Sequence, residues 1–577
     1  MLALVILSIL FTWLVIAAVC IGIGTLLLRS CRLACSPLDA LWSGVAVICA
    51  ILQVYHFFRP IDLAVVLLLF ALALAGWFWN RAFLFQRLAI AGSQPLNIFL
   101  FFVAVAVLAF RAAGPCEHYD TGLYGATAIR WFITYPLAPG LGNLISQIGF
   151  NSSVFLWMAA LEQGPWRGLS HHLFGGFLLA AMFASVVPAA VRVWSGRAVS
   201  AADWFQTILF IPAAIWGATG KFVGANTDLP PSVVCLVAVM MAFRGLENKT
   251  QEGDEANVRV TSLVVAMTLF SLAVTFKISS AVFGLLGWIV ALVKLWSLSR
   301  SAPQRKWLVS GAILLSGAIV VPWIGRGLIL TGYPLFPSTA LSIPVDWRTS
   351  PAIAQFLDDF VRSFARVQEI STAYAHGWSW LKPWFRFMML EREGFVIPLL
   401  LALGGGVVAI FRRWRGKEEA APQWLWLLVP SLAGLLFWFL RAPSVRFGGL
   451  ALWSTAATLG ALAAVGLLEN VARKRAAIFG LVLLTGWAAH PRLVWGSNFR
   501  PSIGVRTFLR LPEARVAPHR TASGLILFVP EKGNQCWDGP LPCVPEFNNA
   551  LRLRKSGELR RGFASWEPPI ESNATTR

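Results

Sequence analysis

The chain has 577 residues, of which 57% are hydrophobic and 13% are charged. Soluble proteins contain about 45–50% apolar and about 25% charged residues, so a single soluble enzyme domain, a coiled coil, collagen and a disordered chain are excluded, and a polytopic membrane protein remains. The net charge of +21 lies mostly between apolar runs and in the C-terminal tail, so it indicates membrane topology and no nucleic-acid partner.

Long apolar runs follow one another along the chain, and each is a candidate membrane-spanning helix. They predict an all-α polytopic membrane protein with about 14 transmembrane helices, in which the short run at 228–243 carries the weakest signal. The predicted spans are 3–28, 39–58, 60–80, 95–113, 171–191, 203–219, 228–243, 260–276, 278–297, 307–324, 395–411, 423–440, 447–467 and 476–490.

The distribution of Lys and Arg predicts the orientation of these helices. No charge precedes the first run, whereas Arg29 and Arg32 follow it; because a cleavable signal peptide begins with a basic segment, we predict an uncleaved first helix with its N-terminus outside. The loops assigned to the cytoplasm then contain 20 Lys and Arg, and the short outer loops contain five: Arg59, Lys221, Lys277, Arg441 and Arg446. Cytoplasmic loops are the basic ones in membrane proteins, so both termini are predicted to be periplasmic.

Three predicted outer regions are too long to be turns: 114–170, 325–394 and the tail 491–577. The apolar segment 151–163 is too short for a span, and a span there would invert the upstream basic loops, so we predict that it lies at the outer interface. The chain is thereby divided into three N-terminal helices (1–94), a membrane core with its outer loops (95–490) and a periplasmic tail (491–577).

Two cysteines of the tail flank a short loop. Cys536 and Cys543 enclose Trp-Asp-Gly-Pro-Leu-Pro in a segment predicted to lie outside. Disulfides persist in oxidising compartments, so a disulfide is favoured over two free thiols.

Two aspartates are the strongest candidates for chemistry, because ionisable groups among membrane helices are costly. Asp120 follows the fourth span and precedes apolar residues at helical spacing; Asp228 precedes two prolines at the start of the seventh. Each could simply cap a helix. Each could also be a carboxylate at the membrane surface that takes a proton or binds a metal.

Cations in short outer loops oppose the charge bias of the chain. Arg441 and Arg446 share one such loop, and guanidinium groups suit phosphate, although both could instead reach lipid headgroups. Lys221 is a weaker phosphate candidate, as is Lys277.

Two further polar residues of region 114–170 could line a binding pocket. They are Tyr124 and Asn151, and packing is the alternative role for each.

The two acidic positions resemble the pattern of the GT-C superfamily, whose members are polytopic glycosyltransferases that use polyprenyl-phosphate-linked sugars. In that pattern an acidic residue opens a long outer loop with juxtamembrane helices, and a second follows in the next outer loop. Asp120 matches the first position, and Thr227-Asp228-Leu229-Pro230 is similar to the second. The chain is also similar to an uncharacterised family of bacterial membrane proteins, through stretches such as Gly332-Tyr333-Pro334-Leu335-Phe336-Pro337 and Cys536–Cys543.

The resemblance implies a GT-C-like core at residues 95–490 and a site at the periplasmic face of a bacterial inner membrane. Asp120 and Asp228 would be catalytic, or would hold a divalent metal ion if one is used. Arg441 or Arg446 would bind the donor phosphate. The implied partners are a polyprenyl-phosphate-linked sugar and membrane lipids. Two alternatives remain open: a transporter or flippase of lipid-linked glycans, and a non-catalytic envelope assembly protein.

Overall fold

The structure, a computed structural model, consists mainly of helices. It describes residues 2–116, 118–196, 199–247, 254–300, 306–369, 371–415, 422–468, 470–495 and 510–566. Its helices are α1 Leu2–Ser30, α2 Pro37–His56, α3 Leu63–Trp79, α4 Arg81–Gly92, α5 Pro95–Ala112, α6 Ala126–Thr134, α7 Leu141–Leu144, α8 Val154–Leu161, α9 Phe174–Ser195, α10 Ala201–Ile208, α11 Phe210–Thr219, α12 Leu229–Leu246, α13 Asp254–Phe276, α14 Ala281–Arg300, α15 Lys306–Thr331, α16 Pro351–Val367, α17 Leu381–Met388, α18 Ile397–Trp414, α19 Leu428–Arg441, α20 Val445–Leu467 and α21 Val471–Trp495.

Eleven of the described helices are long and apolar enough to cross a membrane, which confirms an α-helical polytopic membrane protein. They are α1, α2, α5, α9, α12, α13, α14, α15, α18, α19 and α20. Of the other three predicted spans, α3 has 17 residues. The run 476–490 lies inside α21 and directly follows three basic residues, Arg473, Lys474 and Arg475.

The predicted span 203–219 is two helices, α10 and α11, which meet at Leu209. Pro212 has no N–H to donate to the carbonyl of Ile208, and its ring crowds that carbonyl. The helix therefore breaks one turn before the proline. Sequence hydropathy recognised the apolar run but not this interruption.

Helix α12, which had the weakest signal in the sequence, lies at the centre of the bundle, with 94% of its residues buried. It packs against α13, α9, α20 and α14. A helix that is apolar on every side is expected where other helices surround it.

The predicted outer regions meet at one end of the bundle, which we call the outer end. In region 114–170, the indole Nε1 of Trp166 donates to the hydroxyl of Thr12 in α1 (2.7 Å), and the N–H of Leu137 donates to the carbonyl of His56, where α2 ends (2.9 Å). The tail reaches the same end, because the N–H of Phe563 donates to the carbonyl of Pro139 (3.0 Å). The segment predicted to be interfacial forms α8, which is eight residues long, largely buried, and packed against α6 and α2.

The tail contains the one strand pair of the described residues, which the all-α prediction missed. Strands β1 Val516–Arg520 and β2 Ile526–Pro530 are antiparallel, with Val516 opposite Pro530. A disulfide joins Cys536 and Cys543, whose Cα atoms are 6.0 Å apart, as the sequence favoured.

A fully buried arginine ties the outer layer to the bundle. Arg326 of α15 donates through Nη1 to Nδ1 of His56 (2.7 Å) and through Nε to Oδ1 of Asn151 (3.3 Å). Because Nδ1 of His56 accepts, its Nε2 carries the proton and donates to the carbonyl of Tyr135 (3.2 Å). The guanidinium also stacks on Phe132, 5.2 Å from the ring centroid.

Replacement of this arginine should destabilise the fold. We expect Arg326→Leu to cost about 1–3 kcal/mol for each buried group left without its partner, and His56 and Asn151 both lose one. Arg59→Gln is the control, because Arg59 pairs with Asp62 at an exposed site and such pairs contribute about 0–1 kcal/mol. Thermal unfolding in detergent measures both; equal shifts would contradict a structural role for Arg326.

The charge distribution predicts how the bundle crosses the membrane. Reporter fusions after residues 90 and 415 should be active in the cytoplasm, and fusions near 350 and at the C-terminus should be active in the periplasm. A cytoplasmic reporter signal at the C-terminus would contradict the topology.

Candidate functional site

Two outer loops pack directly against each other and bring the two aspartates together. The hydroxyl of Thr121 accepts from the N–H of Ala225 (2.9 Å). A Cβ on Gly125 would lie 2.6 Å from the Cβ of Ala225, and a Cβ on Gly224, whose φ is +122°, would lie 2.7 Å from Oγ1 of Thr121. Glycine at 125 and 224 therefore permits the close approach of the two loops.

Neither aspartate caps a helix through its side chain. Asp120 precedes a π-helical turn, Thr121–Gly125, and its side chain makes no cap hydrogen bond. At the start of α12 the side-chain acceptor comes from Asn226, whose Oδ1 accepts from the N–H groups of Asp228 (2.6 Å) and Leu229 (3.3 Å). The carboxylate of Asp228 is thus left available for other partners. Asp228 stands directly before the first residue of α12, as the sequence indicated, but neither aspartate makes a side-chain capping bond.

One guanidinium joins the two carboxylates. Arg446, in the first turn of α20, donates through Nη2 to Oδ2 of Asp120 (2.6 Å) and through Nε to Oδ2 of Asp228 (2.9 Å). The side chains of Asp120 and Asp228 are 18% and 13% exposed, and that of Arg446 is 38% exposed. The site is therefore partly buried but reachable from the outer end.

A second cation completes the cluster. Lys277 lies between α13 and α14, and its Nζ donates to Oδ1 of Asp228. The ammonium also sits 4.3 Å from the ring centroid of Phe447. Two carboxylates therefore face two cations, so the group carries no net charge when all four are ionised.

The charges at this site shift the pKa values of its members. Burial raises the pKa of Asp228, but Lys277 and Arg446 together outweigh burial and hold that pKa well below its usual range. Burial, the largest effect, and the charge of Arg446 together lower the pKa of Lys277, although Asp228 and Asp120 raise it. Burial also lowers the pKa of His118, despite the opposing effect of Asp120 and Asp228, so its imidazole is neutral at pH 7.

Three side chains could hold a metal ion. One ligand atom each from His118, Asp120 and Asp228 lies within 4.8 Å of the others. Within the part of the chain that the structure describes, Nδ1 of His118 is buried and has no hydrogen-bond partner. An imidazole nitrogen and two carboxylates suit a divalent ion chemically, although such an ion would have to compete with Arg446 and Lys277 for the carboxylates.

Tyr124 borders the cluster. It is 8% exposed and stands edge-on to Phe155, with ring centroids 6.1 Å apart. Burial first, and then the charges of Asp120 and Asp228, raise the pKa of its phenol, so it can donate a hydrogen bond but does not ionise at pH 7.

Three predicted binding residues lie outside the cluster. Arg441 pairs with Asp358 (2.8 Å), and Lys221 pairs with Glu393 (3.2 Å). The amide of Asn151 is buried and donates to the carbonyl of Trp323 in α15 (2.7 Å). Its contacts are those of a packing residue.

Two residues of the cluster, His118 and Lys277, are only weakly indicated as functional by the sequence. His118 stands two positions before Asp120 in the same loop, and that proximity was the available signal. The charge distribution marks Lys277 as an outer-loop cation, but its contact with Asp228 depends on how α13 and α14 pack beside α12.

Residues 6–453 match the domain of unknown function DUF8201. The chain belongs to the DUF8201 family. No curated protein and no solved structure matches this chain. The matched range of the DUF8201 family includes all members of the cluster and ends before α21 and the tail.

The depressed pKa of Asp228 predicts a pH-dependent contribution to stability. A carboxyl with a lowered pKa stabilises the fold while it is ionised, and the effect is lost as the pH falls below the ordinary value of 3.8 towards the folded-state value. The difference in thermal midpoint between wild type and Asp228→Asn should be constant from about pH 7 to pH 5 and should shrink below about pH 4.

The matched control is Asp346→Asn, because the side chain of Asp346 is 58% exposed where it pairs with Arg554. This variant should differ little from wild type at any pH. A difference for Asp228→Asn that is absent at pH 7, or that does not change down to pH 3, would contradict the ion pairs of Asp228.

Proposed function

We propose that this protein is a membrane glycosyltransferase that moves a sugar from a polyprenyl-phosphate-linked donor to an acceptor at the periplasmic face of the bacterial inner membrane. The acceptor would be an envelope glycan, a lipid or a protein. The observation that carries the proposal is the contact of Arg446 with both Asp120 and Asp228. It joins acidic and cationic groups at one end of a membrane bundle.

The cations of the cluster suit the donor phosphate. Arg446 offers a planar fork of N–H groups and Lys277 an ammonium, and both are held among membrane helices at the outer end. A phosphate bound between Arg446 and Lys277 would form ion pairs with both cations. It would thereby replace the carboxylates of Asp120 and Asp228 and release them. Arg446 and Lys277 would then stabilise the negative charge that develops on the phosphate as it leaves.

The released carboxylate of Asp120 suits a general base. It would take the proton of the acceptor hydroxyl while the acceptor oxygen bonds to the anomeric carbon of the sugar. The bond from that carbon to the phosphate oxygen would break, and the phosphate would leave with the electron pair. Asp228, fixed by Asn226 at the start of α12, would orient the acceptor hydroxyl.

A divalent metal ion is compatible with this arrangement. In that alternative to the general-base role of Asp120, His118, Asp120 and Asp228 would hold the ion, which would supply charge stabilisation at the phosphate.

The transport alternative gains no specific support. A transporter commonly places its ionisable residues at mid-membrane. Arg326, the fully buried arginine of α15, instead lies near the outer end of its helix and binds His56 at the end of α2.

The two arginines of one outer loop provide the sharpest test. In a strain that lacks the protein, transfer from a polyprenyl-phosphate-linked sugar, followed by mass spectrometry of envelope glycans, should be restored by wild type. Asp120→Asn should reduce transfer by about 10²–10⁴-fold, the usual contribution of a general base. Arg446→Gln should be comparably defective, because it loses the phosphate contact.

Arg441→Gln is the matched control, since Arg441 pairs with Asp358 and not with the cluster. It should transfer sugar within about twofold of wild type, as surface ion pairs contribute little. Full activity of Asp120→Asn, or an equal loss in Arg441→Gln and Arg446→Gln, would contradict the proposed mechanism.

A further inference from the structure

The tail touches the chain on both sides of Asp120. The backbone N–H of Trp537 donates to the carbonyl of Gly122 (3.0 Å). The amide of Gln535 donates to the carbonyl of Tyr119 (2.9 Å). Residues of the tail thus hold the peptide groups immediately before and shortly after the carboxylate.

A third contact fixes the helix that follows. Arg130 of α6 donates through Nη1 to the carbonyls of Asp538 (2.8 Å) and Gly539, and its Nη2 pairs with the carboxylate of Asp538 (2.5 Å). Charge-assisted bonds from one guanidinium to several acceptors are geometrically selective. The whole segment from Tyr119 to Arg130 is therefore clamped against one short stretch of the tail.

The indole of Trp537 packs so closely against residue 122 that only a glycine fits there. A Cβ on Gly122 would lie 2.5 Å from Cε2 of that ring. Trp537 itself has a φ of +42°, a left-handed conformation that a tryptophan adopts only when its surroundings impose it. Trp537 directly follows Cys536, which the disulfide joins to Cys543, and both cysteines are fully buried.

The disulfide loop is itself anchored on the β-hairpin. Phe528 of β2 donates through its N–H to the carbonyl of Pro542 (3.0 Å) and accepts from the N–H of Val544 (2.9 Å). The loop therefore presents Trp537 and Asp538 from a fixed base.

We propose that the disulfide-closed loop 536–543 is a positioning element, which holds Asp120 in reach of Arg446. The proposal goes beyond the proposed function, because it requires only the contact between Asp120 and Arg446 and not glycosyl transfer. It assigns a role to the tail, which lies outside the range matched by the DUF8201 family. Arg130, Gly122 and Trp537 are the residues through which the loop acts.

The tail supplies a control, because it has a second attachment away from the cluster. Arg554 pairs with Asp346 (2.8 Å) and stacks on Trp347, 4.5 Å from its ring centroid. Each of the variants Arg130→Gln and Arg554→Gln therefore removes one arginine–aspartate ion pair that anchors the tail. Only the ion pair of Arg130 lies beside the segment that contains Asp120.

Hydrogen exchange of the full-length protein in detergent measures the clamp. In Arg130→Gln, amides in peptides covering 119–131 should exchange roughly fivefold to thirtyfold faster than in wild type, as expected for the loss of one or two kcal/mol of local stability. Peptides from α13 should be unchanged. Arg130→Lys, which keeps the charge opposite Asp538, should restore part of the protection. Arg554→Gln should leave 119–131 as in wild type.

A second measurement reports on the position of Asp120. A double-mutant cycle of Asp120→Asn and Arg446→Gln, read as shifts of the thermal midpoint, should show coupling in wild type and in Arg554→Gln. The coupling should be lost in Arg130→Gln and in Trp537→Ala. Unchanged exchange and coupling in Arg130→Gln would overturn the proposal, and so would equal effects of Arg130→Gln and Arg554→Gln.

Discussion

The contact of Arg446 with two carboxylates is the constraint on which the outer end of this protein depends. Asp120 and Asp228 come from loops that are far apart in the chain, and two carboxylates in a partly buried place repel each other unless cations are supplied. Arg446 supplies one positive charge to both, and Lys277 supplies another to Asp228. These ion pairs connect four helix ends and one loop. A displacement of the first turn of α20 would therefore alter contacts at the start of α12, at the junction of α13 with α14, and in the loop after α5.

The same arrangement gives the cluster a chemical property that a set of helix caps would lack. Its charges balance internally, yet Arg446 remains accessible to an anion, since its side chain is 38% exposed. An anion that binds Arg446 and Lys277 competes with the carboxylates, so anion binding and release of the carboxylates are coupled. Because Asn226 has taken over the capping of α12, Asp228 can change partners without unwinding the helix.

The sequence predicted that Asp120, Asp228 and one of two arginines would share a site. Arginines are unexpected in short outer loops, which otherwise contain few basic residues, and acidic residues are costly near membrane helices. It did not predict which arginine, since the choice rests on the packing that turns Arg441 towards Asp358. It favoured a functional role for both aspartates but left helix capping open, and for Asp228 the competing side-chain cap, Asn226, acts through a geometry that spacing does not reveal. The interruption at Leu209 and the hairpin in the tail were missed for a similar reason: hydropathy reports on apolar length and not on backbone hydrogen bonding.

The phosphate site proposed at Arg446 is tested most directly by an experimental structure of the protein in a lipid nanodisc with a polyprenyl phosphate added. We expect the phosphate to lie within hydrogen-bond distance, about 3 Å, of Arg446 and Lys277. Its lipid chain should extend into the membrane, and the carboxylate of Asp120 should have left Arg446. A phosphate bound at Arg441 or elsewhere, with Arg446 still joined to both aspartates, would contradict the proposed site.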